Sequence, residues 1–220
     1  MSIKSNIKKL TESVHSEVKI VAVSKFHSTD EIMEAYEAGQ RIFGESRVQE
    51  LVQKNEELPK DIEWHFVGGL QRNKVKQIAP FISLIHSVDS ERLMREVNKQ
   101  AAANNRTISC LLQIHVAEED TKSGFTPDEC LQFLSEGVFK EYTHVKLVGM
   151  MGMATFTDDK DKVRNEFQQL KQLFDKVKSQ YFANDSDFKE ISMGMTGDYP
   201  TAIEEGSTMI RVGTLIFGER

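Results

Sequence analysis

Short apolar runs alternate with longer amphipathic segments along the whole chain. The runs are rich in β-branched residues and too short for helices, so they predict strands. We expect these strands at 20–24, 41–44, 63–67, 83–87, 107–115, 145–150, 189–192 and 209–212. Between the runs, apolar residues recur at helical spacing. That spacing predicts helices near 2–17, 29–38, 46–56, 73–79, 90–104, 127–136, 160–181 and 198–205.

The order of these elements predicts the fold class. Eight strands separated by seven helices, with an N-terminal helix as the eighth, indicate an α/β protein built as a (β/α)8 barrel of the TIM type. A doubly wound open sheet would give the same alternation and is the alternative fold. The count of eight favours the barrel, as does the lack of a GxGxxG turn after the first strand. No linker rich in Pro, Gly or Ser interrupts the chain, so we expect residues 1–220 to form one domain.

Composition and charge narrow the classes of function. The chain has 220 residues and a formal net charge of −6, with basic residues scattered among acidic ones. Binding to nucleic acid or to a membrane surface calls for a clustered basic face, so neither is expected. No apolar run is long enough to span a membrane, and the N-terminus lacks the apolar core of a signal peptide.

Cysteine and histidine spacing point to a cytoplasmic protein without a metal. Cys110 and Cys130 lie in unrelated contexts without CxxC spacing, which favours buried free thiols in a reducing compartment. The six histidines show no metal-ligand spacing, so no metal site is expected. We also expect a monomer, since no long exposed apolar stripe is evident.

Lys25 is the first candidate for chemistry. It ends the apolar run 20–24, and alternation along a strand would place Val21, Val23 and Lys25 on one face. An ammonium at the end of a buried strand would be partly desolvated, which favours the neutral, nucleophilic amine that Schiff-base chemistry requires. The alternative is a side chain that simply reaches into solvent where the strand meets its loop.

The ends of the seventh and eighth strands predict an anion site. Ser192, Gly194 and Thr196 belong to a loop of small residues that opens into a helix, where exposed amides suit a phosphate group. Gly213 and Thr214 add an amide and a hydroxyl on the neighbouring strand. Phosphate sites formed by these two loops recur in this fold. A glycine-rich turn with an ordinary helix cap is the alternative.

A lysine beside a phosphate site fits a small phosphorylated aldehyde. Pyridoxal 5′-phosphate (PLP) is the candidate cofactor. Arg211 shares a strand face with Met209 and Gly213, so it is expected to point inward toward the cofactor ring. An arginine there would keep the pyridine nitrogen unprotonated and weaken the ring as an electron sink. His65 is expected either to line the ring pocket or to be an ordinary core histidine.

Nine motifs, in order along essentially the whole chain, resemble the pyridoxal phosphate homeostasis protein family. They are VAVSK at 21–25, FGE at 43–45, VQE at 48–50, WHF at 64–66, LQRNK at 70–74, KSG at 122–124, SMGMTGD at 192–198, GST at 206–208 and RVGTLIFGER at 211–220. Ser46 stands where the family usually has Asn, so a contact from its side chain to a ligand would be shorter. Thr196 replaces the usual Ser and keeps the hydroxyl.

The resemblance implies a fold similar to the barrel domain of bacterial alanine racemase. It also implies PLP bound to Lys25 as a Schiff base, in a role as carrier or regulator of intracellular vitamin B6 balance without established catalysis. PLP-dependent apo-enzymes would be the partners. The residues implied to hold the phosphate are Ser192, Gly194, Thr196, Gly213 and Thr214.

Two enzymatic alternatives remain open. A PLP-dependent amino-acid racemase needs a second acid/base opposite the lysine. Alanine racemases take it from a C-terminal β-domain, for which the residues after the eighth strand leave no room, and Tyr199 is the one tyrosine expected near the site. A cofactor-free Schiff-base aldolase would explain Lys25 but not Arg211. Lys122, in the loop after the fifth strand, is a candidate second amine for passing PLP on.

Overall fold

Eight parallel strands close into a barrel in the computed structural model, which describes residues 2–117 and 123–219. Each strand pairs with the next in chain order, and the last pairs with the first. The barrel prediction is therefore confirmed, and the open-sheet alternative is wrong. The strands are β1 (Lys19–Val23), β2 (Ile42–Glu45), β3 (Glu63–Phe66), β4 (Leu84–Val88), β5 (Ile108–Ile114), β6 (Val145–Gly152), β7 (Glu190–Ser192) and β8 (Met209–Val212).

Nine α-helices occur within the described ranges. They are α1 (Ile3–Ser13), α2 (Thr29–Glu37), α3 (Val48–Glu57), α4 (Val75–Ile78), α5 (Glu91–Ala103), α6 (Pro127–Glu136), α7 (Lys160–Tyr181), α8 (Tyr199–Glu204) and α9 (Thr214–Phe217). Eight of them match predicted helices, although α1 ends at Ser13 rather than near 17. The ninth, α9, was not predicted because four residues are too few to show a helical period.

Local sequence signals start two of these helices. Ser28 accepts a hydrogen bond from the Glu31 amide, and the Glu31 carboxylate accepts one from the Ser28 amide at 2.8 Å. Thr126 and Glu129 form the same reciprocal pair at the start of α6. Each pair satisfies amides that the first turn of a helix leaves without partners.

Strand alternation divides the buried residues into two layers. Apolar side chains on one face of the strands fill the barrel interior: Val21, Leu84, Leu111, Met151 and Met209. The other face packs against the helices and contributes to a larger core, whose largest fully buried side chains include Trp64, Phe43, Phe66, Phe167 and Phe188. Because Trp64 lies in the outer layer, its neighbour His65 points inside the barrel.

Both cysteines are buried and free, and burial raises the pKa of the Cys130 thiol to about 12. Among the helices that the structure describes, none combines the length and the apolarity needed to cross a membrane.

Candidate functional site

Lys25 lies at the C-terminal end of the barrel, in the turn that follows β1. The strand ends at Val23, so the prediction that Lys25 ends the strand itself is wrong by two residues. The turn is closed by the His27 amide, which donates to the Ser24 carbonyl at 3.0 Å. Phe26 adopts a φ of 67°, a left-handed conformation that costs a non-glycine residue about 1–2 kcal/mol. The half-buried Lys25 is therefore placed by a tight turn.

Three charged side chains pack against this turn and form hydrogen bonds with its residues. They are Glu45 at the end of β2 and Glu50 and Lys54 on α3, which we call the outer ion cluster. Lys54 is only 5% exposed. Its Nζ donates to Glu45 Oε1 at 2.8 Å, to Glu50 Oε1 at 2.6 Å and to the Ser24 carbonyl at 2.8 Å.

The outer ion cluster binds the backbone on both sides of Lys25. Ser24 is held through its carbonyl by Lys54 and through its hydroxyl, which donates to Glu45 Oε1 at 2.6 Å. On the other side, the Phe26 amide donates to Glu50 Oε1 at 2.6 Å. Burial raises the pKa of Glu45, and the charge of Lys54 partly opposes that rise. The two peptide units that flank Lys25 are thus fixed while its amine is left out of the cluster.

The sequence interpretation did not single out Lys54. Its position carried a usable signal, since Val48, Leu51 and Lys54 follow one another at a spacing of three and all face the core. A lysine in an apolar position of an amphipathic helix calls for a buried anion, because a buried charge is rarely left unpaired.

Two glycines at the ends of β7 and β8 allow close backbone approaches. Gly194 has a φ of 93°, and a Cβ added there would lie 2.6 Å from the Cβ of Ala202. A Cβ on Gly213 would lie 2.9 Å from the carbonyl oxygen of Val23. Gly213 is therefore pressed against the end of β1, two residues before Lys25. Closure of the barrel pairs β8 with β1 and β7 with β8, which is the neighbourhood of strands that the sequence predicted.

Free donors gather at the same strand ends. No acceptor within the described residues takes the amide protons of Thr196, Gly197, Thr214 or Leu215. The loop after β7 is instead closed by Asp198, whose carboxylate accepts from the Met195 amide. Uncommitted amides beside small and hydroxyl side chains are the donor set that a phosphate group requires, so these residues fit the phosphate of PLP.

A chain of hydrogen bonds crosses the inside of the barrel from β8 to β3. Arg211 donates from Nη1 to Ser192 Oγ at 2.6 Å and to the Ser192 carbonyl at 2.8 Å. Its Nη2 donates to the Gly152 carbonyl at 3.1 Å. Ser192 Oγ lies 2.9 Å from His86 Nδ1, and His86 Nε2 lies 3.0 Å from His65 Nδ1. We call Arg211, Ser192, His86 and His65 the inner chain.

Burial determines the charges along the inner chain. Its four members are at most 5% exposed. Desolvation, with the nearby charge of Lys19, lowers the pKa of His65 to about 3, and desolvation places the pKa of His86 well below its usual value. Both imidazoles are therefore neutral near neutral pH. Burial lowers the pKa of Arg211 to about 10, which leaves its guanidinium charged.

The structure brings most of the predicted site residues together at the adjoining ends of β1, β7 and β8. They are Lys25, Gly194, Thr196, Arg211, Gly213 and Thr214. Ser46 follows β2 and packs against Gly68, where an added Cβ would lie 2.5 Å from the Ser46 carbonyl oxygen. Lys122 lies outside the described residues.

Two predicted residues lie elsewhere than the cofactor prediction placed them. Ser192 is fully buried, and its hydroxyl is engaged by Arg211 and His86 rather than presented with the loop amides. His65 lies deeper, beside a cavity of about 250 Å³ that Lys19 and Glu63 also line. Of the two alternatives predicted for His65, this position corresponds to the core histidine rather than to a residue that lines the ring pocket.

The sequence interpretation also passed over His86. It lies two residues after Leu84 on β4, and Leu84 faces the barrel interior. Alternation therefore indicated an inward histidine, which a buried polar partner must satisfy. In the part of the chain that the structure describes, no three His, Cys, Asp or Glu side chains are grouped so as to hold a metal.

Comparisons with known sequences find relatives along the whole chain. The family described as alanine racemase, N-terminal domain, matches residues 1–220. The pyridoxal phosphate homeostasis protein of Aquifex aeolicus is 38% identical over 203 residues, which cover 92% of this chain and 87% of that protein. The pyridoxal phosphate homeostasis protein of Pasteurella multocida is 35% identical, with coverage of 100% and 98%.

Solved structures share the same architecture. PipY of Synechococcus elongatus PCC7942, solved with PLP bound, matches with a TM-score of 0.89 at 33% identity and covers 99% of this chain and 100% of its own. An alanine racemase of Clostridium difficile 630 matches with a TM-score of 0.79 at 14% identity. The match covers all of this chain but 57% of the racemase, so it extends to the barrel fold alone.

Proposed function

Because the chain belongs to the pyridoxal phosphate homeostasis protein family, we propose that it binds PLP and acts in PLP homeostasis. One observation carries this proposal most directly. The turn that holds Lys25 adjoins Gly213, and the neighbouring ends of β7 and β8 offer free amides. An amine and an anion site side by side fit a phosphorylated aldehyde.

In this proposal Lys25 is the covalent tether. Bound PLP supplies an aldehyde, with which an amine condenses to a C=N bond with loss of water. The outer ion cluster fixes the backbone of Lys25, and Nζ has no hydrogen-bond partner within residues 2–117 and 123–219. The amine is then free to reach a ligand at the barrel mouth, while the start of its side chain stays in place.

The phosphate would be held by the ends of β7 and β8. Thr196 and Thr214 supply amides and hydroxyls, and Gly194 and Gly213 allow the backbone to come close. We assign Ser192 an indirect part, because its hydroxyl already accepts from Arg211. Ser46 would border the site from β2. His65 on β3 lies deeper, beside the cavity that Lys19 and Glu63 line, and would reach the site only through His86 and Ser192.

Arg211 is proposed to face the pyridine nitrogen of PLP. Its guanidinium is charged and fixed to Ser192 and Gly152. A fixed positive charge disfavours a second positive charge beside it, so the ring nitrogen would stay unprotonated. An unprotonated ring is a weak electron sink, which favours holding the cofactor over catalysis on it.

A role as carrier or regulator of cytoplasmic PLP, acting as a monomer on PLP-dependent apo-enzymes, therefore fits the site better than turnover. The alternative is a PLP-dependent racemase. The one observation in its favour is Tyr199, a half-buried residue at the start of α8 whose Cα lies 3.0 Å from a Cβ added to Gly194. Incubation of the loaded protein with the enantiomers of alanine, serine and threonine decides between them, since the carrier role predicts no exchange of the α-proton.

Uptake of PLP tests the proposed function. Native protein mixed with PLP is expected to become yellow, and reduction with borohydride should lock the cofactor onto the peptide that contains Lys25. Lys25→Ala should take up no colour. Lys8→Ala is the matched control, since Lys8 is an exposed lysine on α1 with 77% of its side chain accessible. Colour retained in Lys25→Ala, or label on another lysine, would overturn the assignment.

A further inference from the structure

We propose that Ser192 and His86 are positioning residues that hold the Arg211 guanidinium in one orientation, toward the pyridine nitrogen of bound PLP. This inference rests on the proposed function and extends it to residues buried below the site. It starts from the inner chain, in which one cation is bonded to neutral groups without a carboxylate among them.

The chemistry of the groups favours one direction of hydrogen bonding along the inner chain. An arginine can only donate, so Ser192 Oγ accepts from Arg211 and its own proton is left to donate to His86 Nδ1. His86 then carries its proton on Nε2 and donates it to His65 Nδ1. His65 in turn is protonated on Nε2. The reverse direction, in which His86 Nδ1 donates to Ser192 Oγ, would leave the buried Ser192 proton without an acceptor among the described residues, which is unfavourable.

This direction has an electrostatic consequence for Arg211. The hydroxyl and the two imidazoles align with their lone pairs toward the guanidinium, so they stabilise its charge with dipoles and leave that charge unneutralised. The Arg211 Nε–H has no acceptor among the described residues. Of the five N–H donors of this fixed, charged guanidinium, the Nε–H and one on Nη2 therefore remain, and either is available to a ring nitrogen.

Charged groups on other elements lie around the inner chain. Lys19 on β1 disfavours a proton on His65 and is itself paired with Glu190 on β7. Asp198, in the loop after β7, favours the charged form of Arg211. Glu63 on β3 borders the cavity beside His65. All of them stay unchanged in the variants used below, so a change in pH response reports on the inner chain.

The test compares the absorption spectrum of bound PLP across the neutral pH range in matched variants. Ser192→Ala removes the side-chain acceptor of Arg211, leaves its two backbone carbonyl acceptors, and is expected to weaken PLP binding about tenfold, the size of one charge-assisted hydrogen bond. Its visible band should also vary with pH, because the ring nitrogen then titrates. Ser207→Ala is the control, since it removes another buried hydroxyl between β7 and β8 that bonds only to backbone carbonyls. Its spectrum should match that of the native protein.

A pair of variants at His86 separates positioning from mere packing. His86→Asn keeps an acceptor for the Ser192 hydroxyl and should keep the native pH response. His86→Leu removes the acceptor and should reproduce the response of Ser192→Ala. A purely structural role predicts that both variants behave alike, and that result would overturn the inference.

Nitrogen NMR of the histidines in PLP-free protein provides a readout that needs no cofactor. Both His65 and His86 should be neutral and protonated on Nε2. A proton on Nδ1 of His86 would overturn the inference even if Ser192→Ala failed to fold. Native protein that takes up PLP while Ser192→Ala shows an unchanged spectrum would overturn this inference alone. Native protein that takes up no PLP would overturn the proposed function and this inference together.

Discussion

The outer ion cluster and the inner chain support two side chains at the same end of the barrel in different ways. The outer ion cluster holds the backbone on either side of Lys25 and leaves the side chain free. The inner chain holds the side chain of Arg211 itself. An amine that must form and release a bond needs freedom at its tip, whereas a charge that tunes a ring must stay in place. Support of the backbone therefore suits Lys25, and support of the side chain suits Arg211.

The outer ion cluster and the inner chain also differ in the number of charges that they bury. The outer ion cluster consists of full charges around Lys54, which is favourable only while every partner is present. The inner chain has one cation and otherwise neutral groups, so it buries fewer charges. Loss of one member should therefore have a larger effect on stability in the outer ion cluster.

The largest effect is expected from Lys54→Met. This change keeps most of the buried stem but leaves Glu45 without its cation, and breaking a buried ion pair costs about 3–5 kcal/mol. The freed turn should also slow the uptake of PLP by Lys25. Urea denaturation and the rate of colour formation measure the two effects.

Two further variants sharpen that result. Lys76→Met, at an exposed lysine of α4, should change the free energy of unfolding little. The double variant Glu45→Gln with Lys54→Met should recover part of the lost stability, because it also removes the stranded charge. A single Lys54→Met variant as stable as the native protein would mean that the outer ion cluster does not support the turn.

The second prediction concerns acid. The pKa of His65 falls from 6.5 to about 3 on folding, and that of His86 also falls. Below pH 6.5 the unfolded chain therefore binds more protons, and stability decreases as the pH falls toward about 3. The decrease should reach about 1.4 kcal/mol per pH unit for each histidine. Glu45 acts with the opposite sign, since its raised pKa gives stability that is lost as the pH rises through its folded value.

His65→Asn isolates the contribution of the inner chain. Asn keeps an acceptor for His86 but does not titrate. The slope of the unfolding free energy against pH, measured below pH 6.5, should therefore decrease by the equivalent of up to one bound proton. Denaturation series over pH for the native protein and the variant provide the measurement. Equal slopes would contradict the assignment of a neutral, buried His65.

The smallest expected effect concerns the turn itself. Phe26 adopts a positive φ, and the Arg47 guanidinium lies 4.5 Å from the centre of its ring. Phe26→Gly and Phe26→Ala both remove the ring contact, but only glycine also relieves the backbone strain. We expect the glycine variant to be more stable than the alanine variant by about 1 kcal/mol in thermal unfolding. The reverse order would show that the turn is not strained.

The sequence predicted more of the fold than of the contacts within the site. Alternating apolar runs were enough for the strand order, because each strand must bury one face inside the barrel and the other under helices. Lys25 and the glycines that follow β7 and β8 were singled out as candidates because of their residue types at strand ends. The turn around Lys25 was missed, since it depends on Glu50 and Lys54 from α3, which lies beyond the next helix and strand.

The sequence by itself determined the barrel, the family and the residues with unusual chemistry, since these follow from periodicity and from short motifs. Only the tertiary structure decided what each polar group bonds to. Ser192 looked like part of a phosphate loop, yet closure of the barrel brings its hydroxyl between Arg211 and His86. Partners on different strands are set by the register of the closed barrel, and one strand's pattern contains no information about the residue that faces it across the interior.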